Sequence, residues 1–299
     1  MKIKDLKYYQ ELVNCQNFSQ VASHFNVSQP TITMAIQRLE KDFGASFFIR
    51  DHAHKQLHIT PAGQQFANHV KVILNELAIA HQEIARTQST RIRFGLPPII
   101  GNYYFPALTP MLMRANLMQN LDIYEHGSRE LLKMLEQGQI DVALLGSLTA
   151  LHQDRLRTHE FVQYPFKVVV SKSHPLANQP TVKFADLRNE QFIMPGSEFF
   201  HEQAFKQMCH GAHFRPHVLF RTPDIHVIKA MVAEKIGISF LASLAIDPAD
   251  PVVGVPIANQ DQPLFRLSLA TRETEVFSTQ QQQLWDLLAQ QENKGGGMA

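Results

Sequence analysis

The chain has 299 residues, 44% of them hydrophobic, and a formal net charge of +1, so it is long enough for two or three units with real cores. It contains no apolar run of about eighteen residues that would read as a membrane span, and Met1-Lys2-Ile3-Lys4-Asp5 is too polar for a signal peptide, so the cytoplasm is expected. Its two cysteines, Cys15 and Cys209, lie far apart without a Cys-x-x-Cys pattern, which excludes a disulfide framework and a zinc site; no metal or cofactor is expected.

In chain order, Leu6, Tyr9, Leu12 and Val13 recur at helical spacing and predict a first helix over 6–14. A second starts at Ser19 as N-cap and buries Val21, Ala22 and Phe25. A third is capped by Ser28, carries Pro30 in its first turn, buries Ile32, Ile36, Leu39 and Phe43, and stops at Gly44. Gln29, Thr31, Thr33, Met34, Gln37 and Arg38 face outward. Two short helices meeting at a tight turn, the second opening with small polar side chains, make a helix-turn-helix, whose second helix enters the DNA major groove. Residues 1–60 carry seven lysines and arginines against five acids, so a DNA-facing surface must come from placement rather than bulk charge. Phe47 to Ile59 reads as two strands around a polar tip, a wing; His52, His54 and His58 there either lie near phosphate or are solvated loop residues.

Thr60 caps another helix with Pro61 in its first position. From there Phe66, Val70, Ile73, Leu77, Ala80 and Ile84 step by four and three residues, a heptad seam that wants a partner helix, the other reading being packing against its own domain. Polar residues 87–90 end it and place a boundary near 90. Beyond, strands alternate with helices, which argues for α/β units with parallel sheets: strands at 91–96, 121–124, 141–145, 167–170, 191–194, 218–220, 237–241 and 267–270, and helices at 103–113, 129–136, 198–209, 225–235 and 278–290. The tail from Lys294 is expected to be disordered.

These motifs together resemble the LysR-type transcriptional regulators. The resemblance rests on Phe18-Ser19 with Val21-Ala22, Ser28-Gln29-Pro30-Thr31-Ile32-Thr33, Ile36 with Leu39-Glu40, Gly44, Phe47-Phe48-Ile49-Arg50 and Ile59-Thr60-Pro61-Ala62-Gly63. It continues through Gly127-Ser128-Arg129-Glu130-Leu131-Leu132, Gly138 with Asp141-Val142-Ala143-Leu144, and Gly237-Ile238-Ser239-Phe240-Leu241. The resemblance implies a winged helix-turn-helix over 1–59 and a dimerising linker helix over 60–90. It further implies a two-lobed α/β effector-binding domain like the periplasmic binding proteins, with lobe I at 91–162 and 267–293 and lobe II at 163–266. Implied partners are double-stranded DNA, a small-molecule effector, a second copy in a dimer and a further pair in a tetramer, and RNA polymerase; no membrane is implied. Parts of the N-terminal region are similar to the malolactic regulators within the family, which points to malate or a related dicarboxylate.

For DNA, the candidates are Ser28, Gln29, Pro30, Thr31, Thr33, Met34, Gln37, Arg38, Arg50 and Lys55: Gln29 on an adenine edge, Thr31 and Thr33 on a base, a phosphate or a thymine methyl, and Arg38, Arg50 and the wing-tip Lys55 on phosphate. Many family members carry Arg where Met34 stands, so either base reading shifts to Gln29, Thr33 and Gln37, or Met34 touches thymine methyls. For the effector, the carboxyl ends of the strands offer Pro98, Ile99, Ile100, Gly101, Asn102, Ser128, Gly146, Ser147, Ser197, Phe199 and Thr222. Ser128 is read as a helix cap facing this end, and Ile99 replaces the Ser or Thr that family members use for a carboxylate. The family's peroxide sensors pair two cysteines, and with Phe199 near the place of one of them, Cys209 alone forms no such switch. An enzyme is disfavoured, since Gly-x-Ser-x-Gly, His-Glu-x-x-His, P-loop and Rossmann motifs are missing. A plain solute-binding protein leaves the helix-turn-helix unused.

Overall fold

In the computed structural model, which describes residues 1–51, 56–86, 89–153, 155–197, 199–259 and 261–291, the N-terminal helices close around Tyr9. Helix α1 (Ile3–Cys15) buries Leu6, Tyr8, Tyr9 and Leu12. Helix α2 (Phe18–His24) begins one residue before the expected cap, because Asn17 rather than Ser19 accepts the first amides, those of Ser19 and Gln20. Helix α3 (Gln29–Phe43) has Ser28 at the N-cap position and ends on Gly44 in the left-handed region, φ 63°, a conformation that costs a Cβ-bearing residue energy. Phe43, expected in the core, is half exposed; its ring lies tilted against Phe66 at 4.6 Å and Phe47 at 6.0 Å.

Strands β1 (Phe48–Asp51) and β2 (Gln56–Ile59) form the antiparallel wing. The carboxylate of Glu40 accepts the amides of Phe47 (2.7 Å) and Phe48 (3.3 Å), which ties the end of α3 to the wing's entry. Arg50 is placed in β1 by its backbone. Lys55, His52 and His54, and the tail from 294, fall outside the described residues.

Helix α4 (Pro61–Ala85) is capped by the Thr60 hydroxyl, as expected. Its first two seam positions, Phe66 and Val70, are buried in this unit's own core, where Phe66 stacks on Phe47 at 4.5 Å. The packing within the domain therefore takes the front of the seam, and what is left begins at Ile73. Gly63 lies where α4 crosses the wing: its carbonyl accepts the Tyr9 hydroxyl at 2.7 Å, and a Cβ there would stand 2.3 Å from the Phe47 carbonyl oxygen. Since Phe47 is held by backbone bonds, Gly63→Ala is expected to cost about 1–3 kcal/mol through overpacking, measured as an earlier urea transition; an unchanged midpoint would show that the wing can retreat.

Residues Met1–Gln88 form one compact unit and Ser89–Ala299 a second. In the second, β3 (Ile92–Gly95) runs parallel to β4 (Leu121–Tyr124) and β5 (Val142–Ser147). Between these strands lie α5 (Pro98–Tyr103), α6 (Phe105–Arg114) and α7 (Ser128–Glu136). The helix expected over 103–113 is α6, which begins at Phe105, and residues 98–103, expected at the carboxyl end of a strand, form the separate short helix α5. Strand β6 (Leu156–Ser171) then carries the chain into the other lobe. That lobe holds β7 (Gln191–Met194), α8 (Phe200–Gly211), β8 (His217–Arg221), α9 (Ile225–Ala233), β9 (Ser239–Ala242) and β10 (Val252–Pro256). Strand β11 (Leu264–Arg272) returns the chain, and α10 (Thr279–Ala289), with the Ser278 capping box, closes it.

The expectation of parallel sheets holds only locally. Strand order is β10-β6-β11-β5-β3-β4, with β9 also on β6; β11 is antiparallel to both β5 and β6, and β6 antiparallel to β9 and β10. The two crossings between lobes run side by side in opposite directions, which forces antiparallel pairing at the centre. Polar Arg157, Thr158, His159 and Glu160 begin β6 and hide it from an apolar-run reading. Among the described residues no helix is long and apolar enough to cross a membrane.

Candidate functional site

On α3 the polar side chains of the first turns bond to one another. The Ser28 and Thr31 hydroxyls share a 2.9 Å hydrogen bond, Thr33 donates to the Gln29 carbonyl at 3.2 Å, and Ser19 donates to the Gln29 side-chain oxygen at 3.4 Å. Arg38, expected to clamp phosphate, instead donates to both carboxylate oxygens of buried Asp5, at 2.7 and 3.3 Å, and this pairing raises its pKa further. The pair fastens α3 to α1, because a carboxylate buried at that junction needs a cation. Met34 stands exposed between Pro30 and Gln37.

In the second unit a cavity of about 310 Å³ opens between the lobes. Pro98, Ile99 and Asn102 of α5 line it from one lobe; Phe199, His201, Pro223, Asp224, Ile225 and His226, at the starts of α8 and α9, line it from the other. Four of the residues expected from the sequence therefore meet in it: Pro98, Ile99, Asn102 and Phe199. Others are used elsewhere. Ile100 is fully buried in the core, and Gly101 lies against Leu96. Ser128 is not a cap, since Gly127 holds that position; its hydroxyl accepts the Gly146 amide at 2.9 Å. Gly146 is covered by the Phe265 ring. Ser147 donates to the Thr149 carbonyl and Thr222 accepts the Asp224 amide, while Ser197 is exposed.

The residues missed were His201, Pro223, Asp224, Ile225 and His226. Asp224 had a sequence signal, an acid directly ahead of an apolar helix, and it caps α9 by accepting the His226 and Val227 amides. His201 had none. Its ring is wholly buried between Phe166 and Phe265, and burial lowers its pKa to about 4. Nε2 accepts the Ala242 amide at 3.3 Å, so the neutral ring carries its proton on Nδ1 as a donor.

Two side chains of the first lobe, Arg129 and Tyr103, reach across beside the cavity. Arg129 of α7 stacks over Phe200 at 5.3 Å and donates to Gln203 of α8. The Tyr103 ring of α5 lies 4.7 Å from the Lys229 ammonium of α9 and 5.7 Å from the His226 ring. Lys229 is itself buried and paired with Asp250 at 2.7 Å. Cys209 is buried, and desolvation with nearby Glu202 pushes its thiol up to about 12, far from the thiolate a redox switch needs.

Comparison with known proteins matches both units. Residues 3–64 match the bacterial regulatory helix-turn-helix protein, lysR family, and residues 85–293 the LysR substrate binding domain. The malolactic fermentation system transcriptional activator of Lactococcus lactis subsp. lactis (strain IL1403) is 33% identical over 289 residues, 96% of this chain and 98% of that protein. The solved structure of HinK, a LysR family transcriptional regulator from Pseudomonas aeruginosa, shares the fold with a TM-score of 0.57 at 22% identity, covering 97% of this chain and 98% of that one. The effector binding domain of QuiR in complex with shikimate matches with a TM-score of 0.56 at 16% identity over 67% of this chain and 95% of its own. With a helix-turn-helix at one end and a two-lobed effector-binding fold at the other, the chain belongs to the LysR family of DNA-binding transcriptional regulators.

Proposed function

We propose that the cavity between the lobes binds a small carboxylate, malate or a related hydroxy- or dicarboxylic acid first, and that this ligand controls a cytoplasmic transcriptional activator. The observation that carries the reading is a cavity lined from both lobes. A ligand touching both favours the closed arrangement by whatever contacts it makes only there. Its donors are the Asn102 amide, the Nδ1–H of His201 and the His226 ring, with Ile99, Ile225 and Phe199 supplying an apolar wall. That a relative activates the malolactic fermentation system, and that the QuiR domain holds shikimate, supports an acid as ligand.

The same reading divides the chain into a DNA-binding domain at 1–59, a linker helix at 60–90, lobe I at 91–162 and 267–293, and lobe II at 163–266. The N-terminal half of α3, from Ser28 to Gln37, enters the major groove, with Arg50 and Lys55 of the wing on phosphate. The rear of the α4 seam, Ile73, Leu77, Ala80 and Ile84, meets a second copy; Ile73 and Ile84 are exposed apolar residues, and two such dimers pair into a tetramer.

Isothermal titration of the whole chain against malate and other small hydroxy- and dicarboxylic acids tests the ligand. Heat is expected with at least one, and Asn102→Ala is expected to weaken it about five- to tenfold, the worth of one hydrogen bond. If the parent chain gives no heat with any acid, the ligand class is wrong.

A further inference from the structure

We propose that Met34 is the residue through which this regulator reads thymine, by contact with the 5-methyl group in the major groove. At about 100° per residue, the buried residues Ile32, Ala35, Ile36 and Leu39 centre on one side of α3, and Pro30, Met34, Gln37 and Lys41 lie along the opposite side, all exposed. Met34 is 58% exposed, a large apolar side chain left to water at the middle of the surface that a recognition helix turns to DNA.

Its neighbours make the surface more apolar than their names suggest. The hydroxyls of Ser28 and Thr31 bond to each other, the Thr33 hydroxyl to the Gln29 carbonyl, and Arg38, whose side chain is 45% exposed, has its charge paired with Asp5. What the first turns present outward at their centre is therefore the Pro30 ring and the Met34 thioether, with the amides of Gln29 and Gln37 beside them. Among the four bases only thymine places a methyl in the major groove; guanine shows acceptors and cytosine an amine, which a thioether would desolvate without a strong bond in return. An unbranched, polarisable side chain adjusts to such a contact.

The test is selection from random-sequence DNA with the full chain and its Met34→Leu, Met34→Gln and Met34→Arg variants, followed by anisotropy titration of the enriched site with thymine replaced by uracil. An enriched A·T pair is expected in each half-site, and loss of its methyl should weaken binding about fourfold per half-site, the worth of burying one methyl. Met34→Leu keeps that thymine-to-uracil ratio; Met34→Gln brings it to one while leaving the folded state unchanged by circular dichroism. Met34→Arg moves the preference to G·C through its two donors. Equal affinity of the parent for thymine and uracil at every enriched position, or a ratio retained in Met34→Gln, overturns the proposal.

Discussion

Asp250→Ala is expected to lower the unfolding temperature of the Ser89–Ala299 unit by roughly 10 °C. The Lys229 side chain is 5% exposed, and its ammonium is held by both oxygens of Asp250, at 2.7 and 2.8 Å, and by the Ala245 carbonyl at 3.2 Å. Removing the carboxylate leaves a buried cation with one neutral acceptor and an aromatic face, a loss of about 3–5 kcal/mol. Asp250 also accepts the Asp247 amide, so the loop before β10 loosens with it. The pair as a pair is worth much less, because both ions lose hydration on burial; the double change Lys229→Met with Asp250→Ala should recover most of the loss. Calorimetry of the three proteins decides the matter. A single variant as stable as the parent would mean that Lys229 reaches water, and that Tyr103 is not packed over a desolvated charge.

The second large effect is on acid stability. His201 titrates near 4 in the folded chain against 6.5 for an unburied imidazole. Between those values the unfolded chain takes up a proton that the folded chain refuses. The contribution of the neutral ring is therefore full above pH 6.5 and is lost as pH falls toward 4, about 3 kcal/mol in all. His201→Gln keeps an acceptor for the Ala242 amide but has nothing to protonate. Its urea stability should fall less steeply than the parent's across that window, although it starts lower because the Phe166 and Phe265 rings lose a flat neighbour. Parallel pH profiles for the two proteins would remove His201 from the acid transition. A second readout follows from the cavity: as His201 lines it, the variant should alter acid binding at neutral pH, where the ring's charge does not change.

Where the sequence was legible, the signal was local. Gly44 ends α3 because a left-handed residue is needed there, and Thr60 and Pro61 open α4; each depends only on neighbours a few residues away. The loss came where distant segments compete for one side chain. Phe66 and Val70 keep perfect heptad spacing yet lie in the core of Met1–Gln88, since spacing tells which residues share a face and not what covers it. Arg38 reads as an unpaired surface cation until Asp5, thirty-three residues away, is placed beneath it. Ser128 has the look of a cap, but the amide it serves is Gly146 on the next strand.

The sequence by itself determined the helix-turn-helix, the long helix that opens at Pro61 and the alternation of strands and helices that makes the second unit α/β, because periodicity and capping are properties of short stretches of chain. Only the tertiary structure decided that β6 and β11 pair antiparallel as they cross between the lobes, and that Asn102, Phe199, His201 and Asp224 meet around one cavity. It also decided that the hydroxyls of α3's first turns and Arg38 find partners within the protein beside an exposed Met34. Those outcomes depend on which groups win a partner over long sequence separations, where burial and charge pairing outweigh local preference.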